Sequence, residues 1–315
     1  MQNNVEISVI IPFYNESDNV AFLLTALTDY FKENNIGNCE VLFVDDGSTD
    51  DSIKQFNNHI DKIIFPASII KLSKNYGAHA AVKAGVLEAK GKYTMFLPAD
   101  LQDPLYLIKE LHTTIQQGHE IVWAQRKQTE NGFFEKLFST SYARLMQKFV
   151  NKDYPDKGFD IVMFDSKIKE VLNKNVEANS SIFLQILSLG FKQKFIEYNK
   201  LARKAGSSKW TVSKKVKLLI DSFIAFSYAP IRFVTLIGIL FFVLGIAWTC
   251  YIIGRALIFD DLDKGWPALI SILMLGFGIT NISLGIIAEY LWRTLDSSRK
   301  RPIFIIDDII TLTNK

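Results

Sequence analysis

Acidic and polar residues gather in three short segments of the sequence, each directly after an apolar run. The segments are Pro12-Phe13-Tyr14-Asn15-Glu16, Asp45-Asp46-Gly47-Ser48-Thr49-Asp50 and Pro98-Ala99-Asp100-Leu101-Gln102-Asp103-Pro104. Each alone is compatible with turn chemistry, since Asp, Asn, Gly, Ser and Pro are common in turns and caps. Carboxylates also accept hydrogen bonds from ribose hydroxyls and base N–H groups, and a ring such as that of Tyr14 can pack beside a base. Together the segments indicate a site for a nucleotide ligand.

The third segment predicts a divalent cation if the ligand carries a diphosphate. Bare carboxylates repel a diphosphate, so Asp100 and its neighbours favour a bridging ion with hard oxygen ligands, Mg²⁺ or Mn²⁺. Such an ion would neutralise a leaving nucleoside diphosphate. The sequence has no glycine-rich P-loop and no Gly-x-Gly-x-x-Gly motif, which argues against ATP hydrolysis and dinucleotide redox chemistry.

Alternating strands and helices must position these segments. Apolar runs predict strands at 7–11, 41–44, 69–72, 93–97 and 121–123, and helical patterns follow most of them, including 77–89 and 104–117. This order predicts a doubly wound α/β sheet that binds its ligand at the carboxyl ends of the strands. Beyond it, 133–149 and 180–189 are predicted to be helical and 161–164 to be a strand.

Two uncharged apolar runs, Phe233 to Ile253 and Trp266 to Ala288, follow this part of the chain. Each has the length of about 20 residues that a helix needs to cross a bilayer. Buried core helices are the alternative, but core helices seldom stay uncharged around their whole circumference. The segment before the runs is amphipathic and is typical of a helix in the membrane interface, with a soluble connector as the alternative.

The charges around the runs predict an orientation. Basic residues flank the pair, whereas the connector between the runs is acidic on balance, so the positive-inside rule places both ends of the chain in the cytoplasm and the connector outside. The flanking residues are Lys214, Lys215, Lys217, Arg232, Arg293, Arg299, Lys300 and Arg301. The first six residues lack the features of a signal peptide, and a net charge of +3 is too small to suggest nucleic acid binding.

The polar segments resemble motifs of family-two glycosyltransferases of the GT-A fold. Further motifs are similar to those of the polyprenyl-phosphate branch, which includes dolichol-phosphate mannose synthases and bactoprenol glucosyltransferases. These are Lys74-Asn75-Tyr76-Gly77, Gly158-Phe159-Asp160, Arg203 with Gly206-Ser207-Ser208-Lys209-Trp210, and Arg301-Pro302-x-Phe304 after the apolar runs. The resemblance covers nearly the whole chain and implies inverting transfer of a hexose from a nucleotide-sugar, with UDP favoured, to undecaprenyl or another polyprenyl phosphate.

The resemblance also implies roles for individual residues. The nucleoside would be held by Pro12, Tyr14, Glu16 and Asp46, with Asp45 supporting the loop. The metal and the donor diphosphate would be held by Asp100 and Gln102, and phosphate by Arg203, Ser208 and Lys209. Arginine can bind phosphate through two parallel hydrogen bonds. The resemblance allows a membrane-anchored homotetramer.

Asp160 matches the position of the family's proposed catalytic base. A phosphate monoester has a second pKa of about 6, so the acceptor is largely dianionic at neutral pH and needs little deprotonation. Orienting the acceptor or the sugar hydroxyls, and stabilising an oxocarbenium-like centre, are therefore alternative roles for Asp160.

The sequence departs from the family pattern at Pro98, where many relatives carry the first acid of an Asp-x-Asp motif. This departure puts the coordination of the metal in question. A processive polysaccharide synthase would require a Gln-x-x-Arg-Trp motif, which Gln125-Arg126 does not supply. A transporter subunit would require polar groups within its spans, and a non-catalytic scaffold is supported only by Pro98.

The resulting prediction is a GT-A catalytic domain followed by a membrane region with two transmembrane helices. The predicted boundaries are 1–212 for a cytoplasmic catalytic domain, 213–230 for an interfacial helix, 231–253 and 266–290 for the transmembrane helices, 254–265 for an external loop, and 291–315 for a cytoplasmic tail.

Overall fold

The computed structural model describes most of the chain. The described residues are 5–34, 36, 38–127, 133–149, 151–157, 159, 161–175, 181–201, 229–259, 265–298 and 302–312. The chain divides into two compact units, one comprising Met1–Lys215 and Pro302–Lys315, the other Val216–Arg301.

The first unit is an α/β unit built on one sheet. Its strands are β1 (Ile7–Phe13), β2 (Cys39–Asp45), β3 (Ala67–Leu72), β4 (Tyr93–Phe96), β5 (Ile121–Arg126), β6 (Ile161–Asp165), β7 (Gln193–Tyr198) and β8 (Ile306–Leu312). Its helices are α1 (Ser17–Asn34), α2 (Ser52–Asn58), α3 (Ala78–Glu88), α4 (Leu107–Ile115), α5 (Phe133–Phe149), α6 (Ser166–Lys174) and α7 (Ile182–Ser188), with a short 3₁₀ turn at Ile60–Lys62. All the strands and helices predicted for this unit are present.

The sheet is mixed. Its order is β7-β5-β6-β4-β1-β2-β3-β8. Strands β1 to β4 are parallel to one another, β5 and β7 run in the same direction, and β6 and β8 are antiparallel to their neighbours. The central strands are short apolar runs buried on both faces, as expected for parallel strands covered by helices.

The two edge strands were not predicted. β8 pairs with β3, and the Ser73 N–H extends the pairing by donating to the Ile305 carbonyl at 3.0 Å. Residues 306–312 therefore belong to the sheet, although the sequence analysis assigned them to a tail. β7 and β8 are mostly half-buried or exposed, so neither shows the continuous apolar run that identified the central strands.

Helix α3 lies close against β1 because it carries Gly85 at the point of contact. A methyl group at Gly85 would approach the side chain of Ile10, which is fully buried, more closely than real Cβ atoms come to their neighbours. The contact fixes α3 on the centre of the sheet. It thereby fixes the loop that leads from β3 into the helix.

The second unit contains two long helices, α8 (Ala229–Phe259) and α9 (Trp266–Ser298), which pack against each other. Both are longer than the predicted segments 231–253 and 266–290. Large apolar side chains are exposed along them; Phe233, Leu236, Phe277 and Ile282 are each more than 60% accessible. Within the part of the chain that the structure describes, no helix meets the length and hydropathy criteria for a membrane span. The two transmembrane helices stay a prediction.

We expect Gly85→Ala to lower the free energy of unfolding by about 1–3 kcal/mol, because it overpacks the contact with Ile10. In an Ile10→Ala background the added methyl group enters vacated space, and alanine is favoured over glycine in a helix by about 0.5–1 kcal/mol. The same substitution should then be neutral or stabilising. Urea unfolding of the single and double variants, followed by circular dichroism, measures both effects; an equal cost in the two backgrounds would contradict the packing account.

Candidate active site

The candidate site lies at the edge of the sheet where its parallel strands end. Strands β1, β2, β3, β4, β5 and β7 all have their carboxyl ends at this edge, and the antiparallel strand β6 begins there. Phe13 at the end of β1 pairs in register with Asp45 at the end of β2. The loops after β1, β2 and β4, which carry the three polar segments, consequently leave the sheet side by side.

The loops after β1 and β2 are held together through Asn15. Its N–H donates to Ser48 Oγ at 3.0 Å, and its Oδ1 accepts from the N–H of Thr49 at 2.8 Å. Asn15 has a φ of 51°, a left-handed conformation that asparagine adopts more readily than most residues because its short amide forms local hydrogen bonds. A single residue, through its backbone N–H and its side chain, thus sets the conformation of one loop and its distance from the next.

A second set of contacts joins the beginnings of helices α1 and α2. The Glu16 N–H donates to Ser52 Oγ at 2.9 Å, and the Ser17 N–H donates to Asp50 Oδ2 at 3.1 Å. Asp50 Oδ1 also accepts from the hydroxyl of Ser52 at 2.5 Å. Burial acts to raise the pKa of Asp50, but the hydrogen bonds from Ser52 and Ser17 outweigh it, and the pKa is lowered. Asp50 therefore stays ionised and satisfies N–H groups that have no partner within the helices.

Asp45 lies beneath the loop after β2. Its side chain is fully buried, and Oδ1 accepts from the Ser48 N–H at 2.9 Å. In this position Asp45 acts on the conformation of the loop and is not exposed to a solute.

Asp46 holds the loop after β3. Its Oδ1 accepts from the Tyr76 N–H at 2.7 Å, and its Oδ2 accepts from the Gly77 N–H at 2.9 Å. Desolvation by burial raises the pKa of Asp46, the two backbone donors oppose that rise, and the nearby Asp45 adds to it. Both oxygens of Asp46 are thus engaged in joining the ends of β2 and β3. The predicted nucleoside contact would use the remaining lone pairs of this carboxylate.

Three of the predicted donor-binding residues are accessible from solvent. Pro12, Tyr14 and Glu16 are each half-buried at the end of β1. The Glu16 carboxylate accepts a hydrogen bond from Asn19 Nδ2 at 2.5 Å through Oε2. These residues lie at or directly after the end of β1, at the edge of the sheet where the resemblance implies a bound nucleoside.

The loop after β4 places Asp100 at the same edge of the sheet. Asp100 is half-buried, and its Oδ1 accepts from the Gln102 N–H at 3.2 Å. Leu101 between them has a φ of 51°, a conformation that costs a residue other than glycine about 1–2 kcal/mol. The backbone carbonyl of Gln102 accepts from the Leu201 N–H at 2.8 Å. The loop is therefore held in a strained form by contacts at its far side.

The donor atoms here fit a cation that is bound mainly by its substrate. Among the residues that the structure describes, no three His, Cys, Asp or Glu side chains form a group that could hold a metal ion. Mg²⁺ is commonly bound by one or two carboxylates together with substrate phosphates. Asp100 can supply one such carboxylate, whereas Asp103 is buried against Tyr198 and cannot reach solvent.

Several predicted site residues lie outside the described residues: Asp160, Arg203, Ser208 and Lys209, with most of the predicted interfacial helix 213–230. The chain on either side of them is described. Ile161, directly after Asp160, begins β6 at the candidate edge and pairs with Ala124 of β5. Leu201, two positions before Arg203, is bonded to the loop that carries Asp100.

Sequence reasoning missed two features of this edge. Arg126, a half-buried cation, is the last residue of β5. The apolar pattern predicted that this strand ends at 123, and Arg126 was considered only for the Gln-x-x-Arg-Trp motif, which Gln125-Arg126 does not supply. The Asp103–Tyr198 hydrogen bond, 2.5 Å between Oδ1 and the hydroxyl, joins residues 95 positions apart, and no local pattern indicates it.

The two functions of Asn15 can be separated by substitution. Asn15→Gly loses the bond to Thr49 but keeps the left-handed backbone without strain, so we expect it to lower the free energy of unfolding by about 1 kcal/mol. Asn15→Ala loses the bond and adds a backbone cost of about 1–2 kcal/mol, so it should be the less stable of the two. Urea denaturation of both variants measures the order. Equal stability of the two variants would show that the backbone at this position is not constrained.

Comparison with known proteins places the chain among glycosyltransferases. The family model described as glycosyl transferase family 2 matches residues 8–174. The uncharacterized glycosyltransferase YkcC of Bacillus subtilis (strain 168) is 32% identical over 320 residues, covering 100% of this chain and 97% of that protein. The undecaprenyl-phosphate 4-deoxy-4-formamido-L-arabinose transferase of Proteus mirabilis (strain HI4320) is 28% identical over 324 residues, covering 97% of this chain and 94% of that protein.

A solved structure has a related fold. It is the glucosyl-3-phosphoglycerate synthase of Mycobacterium tuberculosis in complex with Mn²⁺, uridine diphosphate and phosphoglyceric acid. The TM-score is 0.50 at 15% sequence identity, and the match covers 70% of this chain and 76% of that one. At this identity the likeness concerns the fold, which is GT-A-like as the sequence motifs implied. With the family match and the full-length relatives, it follows that the chain belongs to glycosyl transferase family 2 and that the protein is a glycosyltransferase.

Proposed function

We propose that this glycosyltransferase moves a hexose from a nucleotide-sugar to a polyprenyl phosphate such as undecaprenyl phosphate, with inversion at the anomeric carbon. The hexose is of the glucose, galactose or N-acetylhexosamine class, and UDP is the expected nucleotide. The observation that carries the proposal is the extent of the match to the Proteus mirabilis undecaprenyl-phosphate transferase, which covers 97% of this chain. It therefore includes the apolar helices α8 and α9 as well as the α/β unit.

The loops at the carboxyl edge support a nucleotide-sugar donor. Pro12, Tyr14 and Glu16 are half-buried at the end of β1, and buried carboxylates fix the neighbouring loops. A site held by internal hydrogen bonds before the ligand arrives loses less entropy on binding than a flexible one. Base and ribose bind here, and the diphosphate extends toward the loop after β4.

Asp100 is the carboxylate nearest to that diphosphate in the proposed arrangement. Asp100 and Gln102 would hold a divalent cation here, which would supply electrostatic stabilisation of the leaving nucleoside diphosphate. Since Pro98 has no side-chain ligand, Asp100 would be the carboxylate that the loop offers to the metal, and we expect the protein alone to bind it weakly.

Transfer is a single displacement. A phosphate oxygen of the acceptor forms a bond to the anomeric carbon as the bond from that carbon to the diphosphate breaks, and one in-line displacement inverts the configuration. Arg203, Ser208 and Lys209 are assigned to phosphate because their side chains are cationic or hydrogen-bonding. Asp160 is assigned to the acceptor side, where it orients the acceptor or the sugar.

The lipid acceptor requires a membrane surface, and the second unit supports one. Exposed apolar side chains along α8 and α9, among them Phe233 and Phe277, form more apolar surface than a soluble monomer usually leaves uncovered. Lipid is the occupant that this surface fits. The proposal places α8 and α9 in the cytoplasmic membrane and the α/β unit on its cytoplasmic side, where nucleotide-sugars occur.

A transfer assay tests the proposed reaction. Membranes or detergent-solubilised protein are incubated with undecaprenyl phosphate, Mg²⁺ or Mn²⁺, and a panel of UDP- and GDP-sugars, and lipid-linked sugar is measured.

We expect Asp100→Asn to lower turnover by about 100-fold or more, because it removes the carboxylate that would hold the metal at the leaving group. Pro98→Asp should reduce the metal concentration needed for half-maximal activity. Asp61→Asn, at an exposed position in the 3₁₀ turn, is the matched control and should be unchanged.

Two outcomes of this assay would contradict the proposal. Absence of lipid-linked product with every donor rejects the assigned reaction. Full activity in excess EDTA rejects the metal, and with it the role assigned to Asp100.

The topology is tested separately with reporter fusions. A reporter after Lys315 should behave as cytoplasmic, and one inserted within 259–265 should behave as external, because basic residues flank the helix pair and the connector is acidic. The same reporter placed after Asn151, within the α/β unit, serves as the cytoplasmic control. An external reporter after Lys315 would separate the catalytic unit from its cytosolic donor and reject the arrangement.

A further inference from the structure

The loop that carries Asp100 extends across the sheet to a strand far from the one it leaves. It begins after β4 and is bonded to the end of β7, and β6 and β5 lie between these two strands. Neighbouring strands are about 4.8 Å apart, so the loop covers about 14 Å along the edge. The beginning of β6 and the end of β5, which carries Arg126, lie at the same edge of the sheet between β4 and β7.

Two adjacent hydrogen bonds attach the loop to β7. The Tyr198 hydroxyl donates to Asp103 Oδ1 at 2.5 Å, and the Leu201 N–H donates to the Gln102 carbonyl at 2.8 Å. Lys200 Nζ lies 3.9 Å from Asp103 Oδ2 and provides a countercharge. Asp103 is 1% exposed and Tyr198 2%. A hydrogen bond to a buried carboxylate holds its partners firmly, since neither group can exchange it for water.

The contact belongs to the same loop as the proposed metal ligand, since Asp103 is three positions after Asp100. We propose that the Asp103–Tyr198 hydrogen bond is a positioning contact: it fixes the loop of Asp100 to the end of β7, and so holds the metal side of the site in one geometry. This inference rests on the proposed function and assigns Asp103 and Tyr198 roles that act through Asp100.

Tyr198→Phe is the sharpest variant, because it removes one hydroxyl and leaves the ring in the core. We expect kcat for transfer to fall about tenfold or more and the half-saturating Mn²⁺ concentration to rise about fivefold, since small displacements of positioned groups are costly in rate. Binding of UDP in the absence of metal should stay within about twofold, because the loops around Tyr14 do not include this contact.

Asp103→Asn should lower kcat and raise the half-saturating Mn²⁺ concentration in the same way as Tyr198→Phe. The double variant should be no worse than the more severe single one, as residues acting through one bond are not additive.

The matched control is Gln193→Leu, at the opposite end of the same strand. It removes a partly buried side-chain hydrogen bond, 2.7 Å from Trp123 Nε1 to Gln193 Oε1, together with the 2.9 Å bond that Gln193 Nε2 donates to the Leu187 carbonyl. We expect this variant to lose stability while kcat and the half-saturating Mn²⁺ concentration stay at wild-type values. If the lower kcat of Tyr198→Phe were only a consequence of lower stability, Gln193→Leu would show the same loss of kcat.

Hydrogen exchange of the full-length protein tests the contact without relying on turnover. The Leu201 amide should exchange about tenfold faster in Tyr198→Phe and at the wild-type rate in Gln193→Leu, because loss of the buried bond frees the adjacent one. Unchanged exchange at Leu201 in Tyr198→Phe overturns the proposal. Faster exchange with unchanged kcat and Mn²⁺ dependence also overturns it, because the contact is then only structural. If the wild-type protein transfers no sugar, the proposed function fails. The positioning contact is then still tested, because Mn²⁺-dependent UDP binding and amide exchange at Leu201 show whether it holds the loop of Asp100.

Discussion

Backbone N–H groups at the carboxyl ends of the strands need partners once the strands stop pairing, and this requirement organises the site. Where such groups are buried, an unmade hydrogen bond costs about 1–3 kcal/mol. The Asp45 carboxylate accepts from the Ser48 N–H. The Asp46 carboxylate accepts from the N–H groups of Tyr76 and Gly77, and the Asp50 carboxylate accepts from the Ser17 N–H. Because Asp46 and Asp50 accept from other parts of the chain, satisfying the backbone also fixes the distances between loops. The geometry of the candidate site follows from this requirement.

The position of a carboxylate decides what it can do. Asp46 accepts two backbone donors and is 4% exposed, so its main effect is on the loop that follows β3. Asp100 accepts a hydrogen bond from the Gln102 N–H and is half-buried, so this residue is partly accessible to a cation or a substrate. Residues of the same type in similar motifs thus divide into those that shape the loops and those that can act on a ligand.

The centre of the fold was predictable from the sequence, and its edges were not. β1 and β2 are buried over nearly their whole length, so their apolar runs and the polar residues after them identified both the strands and the loops of the site. β7 has only Tyr198 fully buried, so its composition resembles that of a surface loop. The bond between Asp103 and Tyr198 depends on β7 being next to β5, a fact of topology that local spacing does not contain. Asp46 directly follows β2, as the sequence predicted, but the spacing gave no sign that its oxygens would accept from the N–H groups of Tyr76 and Gly77.

Strand β8 has a consequence for biosynthesis. Lys71 of β3 and Asp307 of β8, joined at 2.7 Å, are 236 positions apart in the chain. At about 5–20 residues per second, a ribosome adds β8 on the order of 10 to 50 seconds after β3. During that interval α8 and α9 are made while the outer edge of β3 has no strand beside it. An open strand edge is a site for wrong pairing, and a lysine on such a strand discourages it. The nascent chain therefore carries an unfinished sheet through the synthesis of its apolar helices, and chaperone contact with β3 is most useful during that period.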